Sequence, residues 1–218
     1  MAGCGGAGSE EVEQAEAAEV DSSSAVPKRL AAAESGAEDT IAAALSGDRS
    51  AVVADVASLR EATGGSAKAL ASSGAPVAEV AELRRRTSRL VQVARTGSFV
   101  DVALAANAVS QLMPSLYRRF ETRVPAEILT LDYLDREAQF RSLARQPAAV
   151  AVAVEQLGRT WAQIRAKVVA AGGAKEARDY QAHVARMERL SPTAGRELQA
   201  EARRGLELVD QLEGVFRQ

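Results

Sequence analysis

The sequence predicts an all-α fold: an antiparallel helical bundle of about five to seven helices behind a disordered acidic N-terminal tail. Three observations lead there. Apolar residues make up 47% of the 218-residue chain, yet alanine supplies many of them and aromatics only 4%. Small apolar side chains without β-branched or aromatic enrichment favour close-packed helices over sheet. Three long segments also repeat their apolar residues at alternating intervals of four and three, which places them on one face of a helix. Finally, Gly and Pro punctuate the boundaries of these segments, and Pro114 interrupts one of them.

Residues 1–27 are Gly, Ser, Ala and acid, with Val12, Val20 and Val26 as the only larger aliphatics. Such a segment cannot bury enough surface to offset its ordering entropy, so a disordered tether is expected. As a flexible coil it would reach roughly 25–30 Å. The rest, 28–218, reads as a single helical-bundle domain. Its first part, 28–75, is less well specified: after Leu30, only Ile41 and Leu45 offer sizeable anchors before residue 47.

The helices follow in order. One spans about 49–72 and stops at Ser-Ser-Gly-Ala-Pro. The next, about 76–96, carries Val80, Leu83, Thr87, Leu90 and Ala94 and closes at Gly97. A third, about 98–121, aligns Val102, Ala106, Val109, Met113, Leu116 and Phe120. Pro114 predicts a kink there, because it removes a backbone donor and crowds the Ser110 carbonyl. A fourth runs from Pro125 to about Arg145. The fifth starts near Pro147 and carries Val150, Val154, Leu157, Trp161, Ile164 and Val168; Gly172-Gly173 suit its left-handed cap. A sixth covers about 175–190. The last is expected after Ser191-Pro192, with Leu198, Ala202, Gly205, Val209, Leu212 and Phe216 on its stripe.

Composition narrows the chemistry. The first 27 residues hold six acids and no base, which leaves 27 bases against 23 acids in the body. That excess is too small for a nucleic-acid-binding footprint, so no nucleic-acid partner is expected. Cys4 and His183 are each the only residue of their kind. An intrachain disulfide, a thiolate cluster and a His/Cys metal site all lack partners, and no metal or cofactor is expected. No Walker A loop, Gly-x-Ser-x-Gly elbow or dinucleotide glycine motif is present. No apolar run approaches the ~20 residues of a bilayer span. The chain is therefore expected not to be an enzyme.

The fourth helix is unusual. Ile128, Leu129, Leu131, Tyr133, Leu134, Ala138 and Phe140 surround it, so it should be buried on several sides. Asp132 and Arg136 sit on it at i, i+4, able to pair; if buried they need each other. Asn107, the only asparagine, could cap such a network, and Arg165 lies four residues beyond Trp161, placed to cover the indole. These five residues read first as a satisfied polar layer fixing helix register, and second as a small-ligand pocket. The Arg84-Arg85-Arg86 run with Arg89 reads first as a solvated face, with phosphate or acidic lipid as the alternative. His183 reads as a packing or surface residue. Asp132 or Asp135 with Glu137 is rejected as an acid–base pair, since helix geometry separates them.

The opening Met1-Ala2-Gly3-Cys4-Gly5-Gly6 resembles the end of a bacterial lipoprotein signal, in which small residues precede a modified cysteine. Met1 stands where that family has Leu. The resemblance implies acylation of Cys4 and a membrane anchor, with the acidic segment behind it as a soluble tether. The helical body is also similar to bacterial helical envelope proteins of uncharacterised function, through AANAVSQLM, VPAEILTLDYLDREAQ and the stretch from Trp161 to Gly173. It brings no activity. The expected role is a lipid-anchored envelope protein that binds or scaffolds a protein partner, facing the periplasm or exterior. The alternatives are a cytoplasmic helical adaptor and a small-ligand-binding bundle.

Overall fold

A computed structural model describes residues 25–217, so Cys4 and nearly all of the expected tether lie outside the described residues. The described chain is helical throughout, with no strand among these residues. The elements are α1 (Lys28–Ser46), α2 (Arg49–Ser72), α3 (Val77–Thr96), α4 (Phe99–Ser110), α5 (Met113–Tyr117), α6 (Ala126–Leu143), α7 (Pro147–Ala170), α8 (Ala174–Arg189) and α9 (Arg196–Arg217).

Local chemistry sets the boundaries. Asp48 caps α2 by accepting from the backbone N–H groups of Ser50 and Ala51, each at 3.0 Å. Ser98 and Asp101 form a reciprocal capping box at the start of α4. Gly47 and Gly172 adopt φ of 76° and 94°, the left-handed conformation that ends α1 and follows α7.

Two helices differ from the sequence expectation. The segment 98–121 is broken rather than kinked: α4 ends at Ser110, and α5 begins at Met113 with Pro114 in its first turn. Pro114 supplies no N–H for the Ser110 carbonyl, so the chain restarts in a new register. Its apolar stripe survives the break, because Val102, Ala106, Val109, Met113, Leu116 and Phe120 are all buried. Phe99–Tyr117 is, by composition alone, apolar enough to be a candidate membrane span with mean hydropathy 1.2, but these buried side chains are core. The last helix begins at Arg196, not after Pro192, since Ser191 and Thr193 turn the chain first.

Packing divides the helices into two rings. In the first, α1 touches α2 and α4, while α3 lies between α2 and α4. In the second, α6 touches α7 and α9, and α8 bridges those two. Each ring encloses its own apolar core. Small residues let α1 approach closely: a Cβ on Gly36 would sit 3.1 Å from Leu59 Cβ. Leu45, expected as an anchor, is instead exposed.

Helix α6 joins the rings. It contacts α4 and α5 on one side and α7 and α9 on the other. Phe140 enters the first core, whereas Ile128, Leu131, Leu134 and Ala138 enter the second. The all-round apolar pattern of this helix has that physical origin.

Candidate functional site

The polar residues of α6 leave the helix in three directions, and each direction meets a different network. Toward α8 and α9, Asp135 is fully buried. Its Oδ2 accepts from the Tyr180 hydroxyl at 2.8 Å, and its Oδ1 lies 2.9 Å from His183 Nε2. The other ring nitrogen, Nδ1, lies 3.0 Å from Glu201 Oε1, and Arg186 Nε forms an ion pair with Glu201 Oε2 at 3.2 Å. An imidazole with a carboxylate at each nitrogen is satisfied best when both nitrogens carry protons. Burial acts to lower the His183 pKa, but hydrogen bonds and charge from Asp135, then Glu201, raise it above the ordinary value. Burial raises the Asp135 pKa against the hydrogen bonds from His183 and Tyr180. With both carboxylates ionised and His183 protonated, the two carboxylates, the imidazolium and the Arg186 guanidinium sum to zero, which is how a buried ionic layer avoids an uncompensated charge. Tyr180 stacks on Trp161 with centroids 4.9 Å apart, closing the network toward α7.

Toward α1, Arg136 Nη2 donates to Glu38 Oε1 at 2.8 Å and forms an ion pair with Asp132 Oδ2 at 2.6 Å. Tyr117 donates to Glu34 nearby. Burial pushes Glu34 up to about 7, with Glu38 and Glu213 adding to the rise against the hydrogen bond from Tyr117. Burial likewise pushes Asp132 up to about 7 against the pull of Arg136. Burial also raises Glu213 of α9. This seam between the rings therefore holds several carboxylates around one guanidinium. The second amino group of that guanidinium, Nη1, is buried without a partner.

Toward α4 and α7, Asn107 donates from Nδ2 to Glu137 Oε2 at 2.9 Å and to the Tyr133 carbonyl at 3.3 Å. Glu137 in turn accepts from Arg141 Nε at 2.7 Å. Tyr133, Glu137, Arg141, Gln111 and Gln156 line a cleft of about 380 Å³ beside this group.

The five residues singled out from the sequence thus occupy separate places. Asp132 and Arg136 pair on one face of α6, as i, i+4 geometry allows. Asn107 serves Glu137 and not that pair. Trp161 is buried, and its Nε1 donates to Gln181 Oε1 at 2.9 Å. Arg165 is exposed and does not cover the indole; the cation–π contact among the described residues is Arg49 over Phe99 at 4.3 Å. Cys4 lies outside the described residues.

Sequence reasoning missed the network of Asp135, Tyr180, His183 and Glu201. His183 is neither a simple packing residue nor a surface residue but a buried imidazole with a carboxylate at each ring nitrogen. The available signal was Gly205, a glycine in the middle of an apolar stripe, which marks a close approach. No group of three or more His, Cys, Asp or Glu among the described residues has a metal-holding arrangement.

No protein-family model, curated protein or solved structure matches this chain. The reading of the site therefore rests on its chemistry. The ionic layer around His183 is enclosed by its own partners, so it can set helix register and hold a proton.

Proposed function

We propose that this protein is a lipid-anchored module of a bacterial cell envelope that binds or scaffolds a protein partner and performs no catalysis itself. The observation that carries the non-catalytic part is the closure of the His183 network. Its histidine and aspartate side chains have 0% exposure, and each polar atom of the imidazole is held by a carboxylate. Acid–base work needs a group that reaches substrate, and this histidine is committed to holding α6, α8 and α9 together. The two rings read as antiparallel up-and-down bundles, the architecture expected of a rigid scaffold.

Support for the anchor is the Ala2-Gly3-Cys4 sequence followed by an acidic Gly/Ser/Ala segment. Mass spectrometry of the N-terminal peptide from the native host tests it. An acylated Cys4 in the membrane fraction is the expected result, and an unmodified Met1 start overturns it.

A second reading, a small-ligand-binding bundle, is favoured by the cleft beside Tyr133 and Glu137, with its carboxylate, guanidinium and amide groups. A ligand screen by thermal shift, with Glu137→Gln as the control, decides it. A stabilising compound whose effect is lost in the variant supports the pocket.

A further inference from the structure

Helix α3 turns a single-sign face to solvent. Each exposed charged residue on it is an arginine: Arg84, Arg85, Arg89 and Arg95. Its two acids are only half-buried and already engaged, Glu82 with Arg85 and Arg86, and Glu79 with Arg119. Arg84, Arg89 and Arg95 have no ion-pair partner among the described residues. The remaining exposed positions between Ala78 and Thr96 are small or neutral. At about 100° per residue, Val77, Arg84 and Arg95 fall within about 20° of one line along the helix. Val77 is 86% exposed, the most exposed large apolar side chain described. Across a groove from Arg95, Arg60 of α2 adds another cation.

We propose that this face of α3 docks on an anionic membrane surface, with the arginines at the headgroup phosphates and Val77 at the apolar boundary. Charge complementarity selects the occupant. Arg84 and Arg95 stand on one edge of the exposed arc of α3, and Arg89 about 120° round from that line. Guanidiniums spread over such an arc, without ion-pair partners among the described residues, reach a plane of phosphates from both edges. The apolar tip in line with them suits a headgroup boundary better than a purely polar polyanion. A basic patch adds electrostatic attraction to anionic headgroups beyond whatever the acyl anchor supplies. The proposal rests on the tethered reading for what brings α3 to a membrane, but the docking itself is a property of the folded body.

The test uses the unacylated full chain, so that failure of docking and failure of the Cys4 anchor remain distinguishable. Co-sedimentation is measured with phosphatidylcholine vesicles, with and without phosphatidylglycerol, at low and high salt. Binding is expected only with phosphatidylglycerol, and salt should weaken it. The triple variant Arg84→Gln, Arg89→Gln, Arg95→Gln should lose about two orders of magnitude in affinity, about five-fold per arginine. A control triple at exposed positions of α8 and α9, Arg178→Gln, Arg203→Gln and Arg204→Gln, should bind as the wild type does. Circular dichroism confirms the fold of both. Equal binding to neutral vesicles, an unaffected α3 triple, or an equal loss in the control triple overturns the proposal. So does tighter binding to a single-stranded oligonucleotide than to the vesicles.

Discussion

Gly205 of α9 faces the carboxylate of Asp135 so closely that a Cβ at that position would lie 2.4 Å from Oδ2 and 2.5 Å from Cγ. The absent side chain is what admits Asp135 to its place between Tyr180 and His183. Gly205→Ala should therefore destabilise the protein by about 2 kcal/mol, although alanine is the better helix former by roughly 1 kcal/mol. Urea unfolding measures the loss. An unchanged or raised midpoint would show that Asp135 can move aside freely.

Replacing His183 exposes the electrostatic cost of its neighbours. His183→Gln keeps one donor but removes the positive charge, which leaves Asp135 and Glu201 mutually repulsive in a buried site. A loss of about 3–5 kcal/mol is expected, the usual consequence of breaking a buried pair. The double variant His183→Leu, Asp135→Leu should recover part of that loss, because the fully buried carboxylate is then gone and Glu201 keeps Arg186 as its counter-charge. Recovery is read from the same unfolding curves.

Proton linkage gives the sign of the pH dependence. A histidine whose folded pKa is raised contributes stability that is full below the ordinary value of 6.5 and is lost as pH rises through the folded value. Glu34 and Asp132 also bind protons more tightly in the folded state. Their deprotonation costs stability as pH rises from the ordinary values of 4.5 and 3.8 to about 7. Both effects run the same way, so the protein should be less stable on the alkaline side of neutrality than in mild acid. Glu34→Gln should flatten the curve and raise stability above neutrality by up to about 3 kcal/mol. Tyr117 can still donate to the amide oxygen. Chemical denaturation across the pH range checks the slope, and a curve that rises through this window contradicts the assignment.

Trp161 and Arg165 separate packing from charge. Trp161→Phe keeps the ring against Tyr180 but leaves Gln181 without the indole donor, a loss of about 1 kcal/mol. Trp161→Ala should cost about 3–5 kcal/mol. Arg165→Ala should stay within about 0.5 kcal/mol of the wild type, as an exposed residue outside any network. Calorimetric midpoints of the three variants test the ranking.

Much of this was legible before any coordinates. The stripes of α7 and α9 predicted their buried faces almost residue for residue, because periodicity records which side of a helix meets a core. The all-round apolar pattern of α6 likewise announced burial on several sides. What periodicity cannot record is which helices share a core, so two rings read as one bundle. The His183 network stayed hidden for a related reason. Glu201 lies between Leu198 and Ala202 on the buried stripe of α9, and Asp135 was weighed against Glu137, its neighbour in sequence, rather than against residues 45 and more positions away. Partners that distant are visible only once the chain is folded. Arg165 failed in the opposite way: i, i+4 spacing made the cation–π contact reachable, but the burial of Trp161 against Tyr180 left the indole no face for a solvent-exposed arginine.

Helix α6 is communal property of the two halves, and this has a consequence for how the protein comes apart. A chain cut before Ala126 would leave the first half without Phe140, a large ring at 0% exposure in its core. The second half would carry that ring into water. Neither half can melt without spoiling the other. The two rings should therefore unfold in one transition, with calorimetric and van't Hoff enthalpies in agreement, and each half expressed alone should be far less stable than its size suggests.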